Sequence, residues 1–207
     1  MPRTRGDHLA GGRTGRGHSS PDGNEAVERK VETDADEIVH ASVATPFGTA
    51  LVARSALGLC SVALGDDVLE LERALSASFP NAVLRRDDAA MEPVVADVGR
   101  LVANPGRVGS VPLERALHIP LDERGTPFQR TVWRELRRIA PGTTTTYAEL
   151  ARRIGRPTAV RAVARACATN RIAVLTPCHR VVGSDGTLTG YRWGIARKRA
   201  LLAREAE

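Results

Sequence analysis

"TTTTYAELARRIGRPTAVRAVARACATN", residues 143–170, is the stretch on which the fold turns. Thr146 followed three residues later by Glu149 is the pattern of a capping box, so a helix is predicted to open there. Gly155 fits the left-handed position that ends a helix. Pro157 falls near the first turn of a second helix, where its missing N–H does no harm. Beyond it Val160, Val163 and Cys167 mark one face. Two short helices joined by a Gly-Arg-Pro turn read as a helix-turn-helix. The second helix is thin, with alanine at 159, 162, 164, 166 and 168, and Arg161 and Arg165 lie four apart on one face. A thin helix can enter a narrow cleft such as a minor groove only ~6 Å wide. Alanine is also the best helix former, so a plain core helix would give the same string. Both readings stand at this point.

Downstream, "RIAVLTPCHRVVGSDGTLTGYRW" (171–193) reads as a buried strand over Ile172–Leu175 running into Pro-Cys-His-Arg, with an Asp185-Gly186 turn and a return segment. Cys178 has three readings. A zinc ligand needs partners at a recognisable spacing, and only Cys167 and His179 are near. A structural cysteine would fill space. A nucleophile needs a neighbouring base or cation to give up its proton, which His179 and the flanking arginines can supply. In an extended strand, however, adjacent side chains face opposite ways. His179 would then reach Cys178 only through a backbone bend or a bridging water, and Pro177 favours an irregular backbone.

Upstream, residues 1–37 combine an Arg/Gly-rich stretch with a charged one and are expected to be disordered, carrying His8 and His18 incidentally. A first folded region is expected over 38–122. "TALVARS" and "LCSVALG" resemble paired strands, with Cys60 in the core. A helix should carry Val68, Leu69, Leu71, Leu75 and Phe79 and stop at Pro80. A second helix is expected within "MEPVVADVGRLVANPG", and "ERALHIPLD" (114–122) as an extended segment. The second region, 123–207, begins with a helix placing Phe128, Val132, Trp133, Leu136 and Ile139 on one face.

Composition narrows the class. Aromatic residues make up 3% of the chain, so the core must be aliphatic. No apolar run approaches the ~20 residues of a membrane span, and the N-terminus lacks the apolar stretch of a secretory signal, so a cytoplasmic protein is expected. Three cysteines without an export signal do not make a disulfide framework. Residues 127–207 hold 16 Lys+Arg against 5 Asp+Glu, whereas residues 1–126 hold 14 against 19. That asymmetry points to a polyanionic partner for the C-terminal part, with a solvated basic surface as the alternative.

"PCHRVVGSDGTLTGYRWGIARKRALLAREAE" (177–207), together with "GTPFQRTVWRELRRIAPGTTTTYAELARRIGRPTAVRAVARACATN" (125–170), resembles the methylated-DNA–protein-cysteine methyltransferases, the family of the O6-alkylguanine-DNA alkyltransferases and the Ada C-terminal region. The segment from about Val39 to Asp122 resembles that family's N-terminal domain. The resemblance implies an α+β protein: an N-terminal ribonuclease-H-like α/β domain, then a mainly helical domain with a winged helix-turn-helix. It implies irreversible single-turnover transfer of a methyl group from O6-methylguanine, and less readily O4-methylthymine, in duplex DNA to the protein's own cysteine. By the same resemblance Cys178 is the acceptor, His179 its water-linked base, Glu205 the carboxylate orienting that histidine, Asn170 the tie between helix and active-site turn, and Tyr147 the hydrogen-bond partner of the guanine. Arg161 matches the arginine that replaces the flipped base in the minor groove, with Ala162, Arg165 and Thr146 beside it on the DNA-facing side. Val181, Thr189, Gly190, Tyr191 and Arg192 match the lesion pocket.

No cofactor and no metal are implied: a structural zinc found in some members would have only Cys60, His40 and His118 here. A monomer is expected, with cooperative assembly on DNA left open, nucleoid-associated if the source is bacterial. Two other functions compete. A non-catalytic lesion binder would lack the cysteine, and a regulatory Ada-type module would need further domains.

Overall fold

The computed structural model describes residues 36–109 and 113–207. The tail expected over residues 1–37, with His8 and His18, therefore lies outside the described residues save for its last two. The described chain is a mixed α+β structure. Three strands come first, β1 (Glu37–Thr45), β2 (Gly48–Ser55) and β3 (Gly58–Gly65), then helix α1 (Val68–Ser78), strand β4 (Val83–Arg86) and helices α2 (Asp88–Ala103) and α3 (Leu113–Leu117). The second half holds α4 (Pro127–Leu136), a short strand β5 (Thr145–Thr146), α5 (Tyr147–Arg153), α6 (Val160–Ala168), β6 (Val181–Val182) and α7 (Ile195–Glu205).

The four-stranded sheet has the order β3-β2-β1-β4, antiparallel except where β4 runs parallel to β1. Both of its faces are covered. Ile38, Leu51, Ala53 and Cys60 pack with Leu71, Leu75 and Phe79 of the α1 segment. Their neighbours Val39, Val52 and Leu59 turn the other way, into a core that runs on through α2, α4, α5 and α6 to Leu201. Successive side chains point to opposite faces, so strands buried on both sides are apolar at successive positions rather than at alternate ones.

The expected paired strands are β2 and β3, and the expected helices are α1 and α2. Asp67 starts α1 by accepting from the Leu69 and Glu70 amides. Leu69, expected on the apolar face, is 59% exposed; one position off the Leu71–Leu75 stripe already points it to solvent. The segment 114–122 is not extended throughout. Leu113 and Leu117 are four apart and both buried, which makes a short helix the better solution. Only its end is strand-like, where Leu121 bridges to Leu59.

The edge of β3 decides where the site sits. Leu59 N donates to Pro120 O (2.9 Å) and Asp122 N to Leu59 O (2.8 Å). One register on, Val62 N donates to Arg171 O (2.9 Å) and Ala173 N to Val62 O (2.8 Å). An open strand edge is thereby paired, and the backbone just before Cys178 is bolted to the sheet.

The α5–α6 pair is present as anticipated. Its hinge is a Schellman motif: Arg156 N bonds Ala151 O and Gly155 N bonds Arg152 O, both at 2.9 Å, with Gly155 at φ +70°. Two details differ from expectation. Pro157 lies in a turn closed by Ala159 N to Arg156 O, ahead of the helix rather than in its first turn. At Thr146 only half of the capping box forms. Its hydroxyl accepts from the Glu149 amide, while the Glu149 carboxylate turns outward to Arg152 and Arg153. A full capping box forms instead at α4, between Thr126 and Gln129.

Candidate active site

The site is built on an irregular loop. The strand expected over Ile172–Leu175 makes one bridge, at Ile172, and then turns. Thr176 N reaches back to Ile172 O at 3.1 Å, and buried Val174 takes φ +65°. A β-branched residue in the left-handed region is strained, by ~1–3 kcal/mol. Cys178–Arg180 then form a single 3₁₀ turn. The Cys-His pair is therefore not extended, and the objection that their side chains must oppose one another rested on a geometry the chain does not adopt.

Asn170, at the end of α6, staples this loop. Its Oδ1 accepts from Ile172 N (2.9 Å), and its Nδ2 lies 2.8 Å from Thr176 O, 3.3 Å from Ile172 O and 3.3 Å from Cys178 Sγ. Two amide hydrogens face three acceptors, so one is shared. Burial pushes the Cys178 thiol up to about 11, with the Asn170 hydrogen bond and the charge of Lys198 pulling the other way. The resting group is therefore a thiol.

Behind it stands a buried charge cluster. His179 Nε2 lies 2.8 Å from Glu205 Oε1. A carboxylate is an acceptor only, so the Nε2 proton faces it and Nδ1 carries the lone pair. Nδ1 is buried and has no hydrogen-bond partner among the described residues. Burial holds His179 below the usual histidine range, against the pull of Glu205. Burial alone would raise Glu205, but hydrogen bonds from His179 and Arg180 hold it below the usual carboxylate range. Arg180 grips both Glu205 oxygens at 2.9–3.1 Å. It also donates to the carbonyls of Ile139 (2.6 Å), Pro105 and Val108 (3.2 Å each).

Cys178 opens onto a 550 Å³ pocket whose wall includes Tyr147, Cys167, Thr189, Gly190, Tyr191 and Arg192, with Ala164 and Ala168 of α6 completing it. Tyr147 is the first residue of α5; burial raises its phenol, and Thr189 Oγ1 donates to its oxygen at 3.3 Å. The ring of Tyr191 meets His179 edge-on at 6.4 Å and Trp193 at 5.1 Å. Val181 is not on this wall. It is fully buried in β6 behind the pocket, paired with Thr145. Arg161, Ala162 and Arg165 are exposed along the outer side of α6, and Thr146 caps α5 beside it.

The sequence reading missed Lys198. It is fully buried, and its ammonium donates to Val181 O (2.5 Å) and Thr189 O (2.9 Å), pinning the pocket loop to β6. The signal was present: Lys198, Leu201 and Glu205 fall at i, i+3 and i+7 on one stripe of α7. No group of three or more metal-ligating side chains occurs among the described residues. Cys60, His40 and His118 do not gather: Cys60 donates to Ala53 O, His40 lies beside Glu72 and His118 beside Asp97.

A buried Asn–Cys pair, a His–Glu pair behind it and a pocket walled by a thin helix thus meet at one place. Residues 127–207 match the family described as 6-O-methylguanine DNA methyltransferase, DNA binding domain. The Candida albicans methylated-DNA–protein-cysteine methyltransferase is 37% identical over 155 residues, 71% of this chain and 83% of that protein. The chain belongs to the methylated-DNA–protein-cysteine methyltransferase family. It is also 48% identical over 161 residues to the Escherichia coli bifunctional transcriptional activator/DNA repair enzyme Ada, over 78% of this chain but 43% of that protein. The chain thus spans less than half the length of that relative. Mycobacterium tuberculosis OGT in complex with DNA superimposes with a TM-score of 0.61 at 32% identity, over 82% of this chain and 92% of that one. Among the described residues no helix is long and apolar enough to cross a membrane.

Proposed function

We propose that this chain reverses DNA alkylation by moving a methyl group from O6-methylguanine, and less readily from O4-methylthymine, onto Cys178 in a single irreversible turnover. The observation that carries this reading is the Cys178 thiol on the pocket wall with the buried His179–Glu205 pair behind it. His179 Nδ1 takes the thiol proton through a water, and Glu205 stabilises the cation that forms, the logic of a nucleophile–base–carboxylate triad. The thiolate attacks the methyl carbon. The S–C bond forms, the C–O6 bond breaks, and the electron pair leaves with the guanine. Tyr147, kept protonated by burial and accepting from Thr189, is free to donate its own proton to the leaving base. The thioether is stable, so nothing restores the thiol.

The partner in this reading is double-stranded DNA. Exposed Arg161 and Arg165 on a thin α6 suit a minor groove, Arg161 fills the gap left by a flipped nucleotide, and the alkylated base enters the 550 Å³ pocket. Residues 38–122 then form an N-terminal ribonuclease-H-like domain and 123–207 a winged helix-turn-helix domain, acting as a monomer. The basic surface of the second half supplies sequence-independent attraction to phosphates. The test is a duplex carrying one O6-methylguanine, followed by peptide mass spectrometry. One methyl group should appear on the Cys178 peptide, in amount equal to the lesion consumed. If Cys178→Ala still cleared the methyl from DNA, the assignment would be wrong.

A further inference from the structure

A second cavity, 460 Å³ in volume, lies between β3, α1 and the start of α7. Its floor is apolar, formed by Ala63, Leu71 and Leu75, and Asp66, Asp67 and Glu70 edge it. It shares one lining residue with the pocket in front of Cys178, and that residue is Arg192. From the loop 189–193 this side chain reaches across to the end of α1, where its Nη2 donates to Ser78 Oγ at 3.2 Å.

Arg192 is weakly held for an arginine. Among the described residues no carboxylate pairs with it, whereas Arg197, five residues on, has Asp66 and the Phe47 and Trp193 carbonyls. Burial and the like charge of Arg171 both push its own ionisation down. A single neutral hydrogen bond contributes only about 1 kcal/mol net, so the side chain can leave at small cost.

We propose that Arg192, latched to Ser78, is a gate between the two cavities that sets how long an alkyl chain the site accepts. Closed, it ends the pocket near the thiol, which suits a methyl group. Open, it lets an unbranched alkyl chain on guanine O6 run past Cys178 onto the Ala63–Leu71–Leu75 floor. Arg192 acts as a specificity-determining residue and takes no part in breaking the C–O6 bond.

The inference rests on the alkyl-transfer reading, and its test keeps the two apart. Duplexes carrying O6-methylguanine or O6-butylguanine at the same position are compared under single-turnover conditions, with alkyl transfer to the Cys178 peptide followed by mass spectrometry. Ser78 lies outside the site, so Ser78→Ala should keep the wild-type methyl rate while raising the butyl-to-methyl rate ratio. Arg192→Ala should raise that ratio further, by roughly tenfold, the scale of apolar-chain discrimination in a pocket. An unchanged ratio in both variants, with methyl transfer intact, would overturn the gate and leave the transfer reading standing. Absence of methyl transfer by the wild-type protein would overturn both.

Discussion

His179 is held neutral by burial while Glu205 pulls towards the cation, and the balance fixes its pH behaviour. With the Cys178 thiol pushed up to about 11, only ~1 in 10,000 sites would be thiolate at pH 7 without help. In the proposed transfer His179 supplies that help as a base, and it must be unprotonated to do so. Its folded value lies below 6.5, so the methyl-transfer rate should stay level from pH 8 to 6.5 and fall only at lower pH. His179→Gln, which cannot take the proton, should slow transfer by about 10²–10⁴-fold; a rate loss under tenfold would remove His179 from the base role. The same residue bears on stability. Its folded value is depressed, so the unfolded chain binds the proton first, and the stabilisation is complete above pH 6.5 and lost as pH falls below it. His40 is depressed in the same sense, by burial, with Glu72, Arg86 and Asp88 around it. Glu205, held below 4.5, keeps its contribution to lower pH still. Chemical denaturation across pH 6.5 to 5 should show stability falling, and His179→Gln should make that fall shallower.

At the scale of the element, α6 was legible because its two faces differ so plainly. Val163, Ala166 and Cys167 are buried, while Arg161, Ala162 and Arg165 are exposed, and Trp133 Nε1 donates to Ala166 O at 2.8 Å to seat the helix on α4. The strands and the larger helices were readable for the same reason, a sustained period in apolar residues. The 171–180 loop was not. Its apolar run looks like a buried strand, because periodicity cannot show that Val174 adopts φ +65° or that Asn170 supplies the loop's hydrogen bonds from outside it. Lys198 shared a visible stripe with Leu201 and Glu205, but a lysine on a helix is ordinarily solvated, and only the packed loop above it makes this one a core residue. If α6 enters a groove as proposed, its exposed face is testable without disturbing the fold. Arg165→Ala should lower the slope of log affinity against log salt by about 0.9 for duplex DNA, because one fewer phosphate is neutralised. Ala162→Leu, at an exposed position with good helix propensity, should leave thermal stability within ~0.5 kcal/mol and weaken duplex binding through bulk alone. Equal binding by the leucine variant would mean that α6 does not approach DNA by this face.

Across the whole molecule the two halves share one interior. The larger apolar cluster runs from Val39 of β1 to Leu201 of α7, and the β3 edge accepts segments 120–122 and 171–173 side by side. Arg180 is the polar counterpart of that continuity. From one fully buried guanidinium it ties the carbonyls of Pro105 and Val108 before α3, that of Ile139 after α4, and the carboxylate of Glu205 in α7. In the sequence this arginine is only a flank of the cysteine, because four partners far apart along the chain leave no local pattern. Removing it strands a buried carboxylate and three carbonyls, and breaking a buried ion pair from one side costs about 3–5 kcal/mol. At ~2–4 °C per kcal/mol for a chain of this size, Arg180→Met should lower the unfolding midpoint by about 10 °C in calorimetry. Because the core is continuous, wild type and variant should each unfold in one transition. Two resolved transitions, or a midpoint moved by less than ~2 °C, would show that the halves are stabilised separately and that Arg180 is not the bond between them.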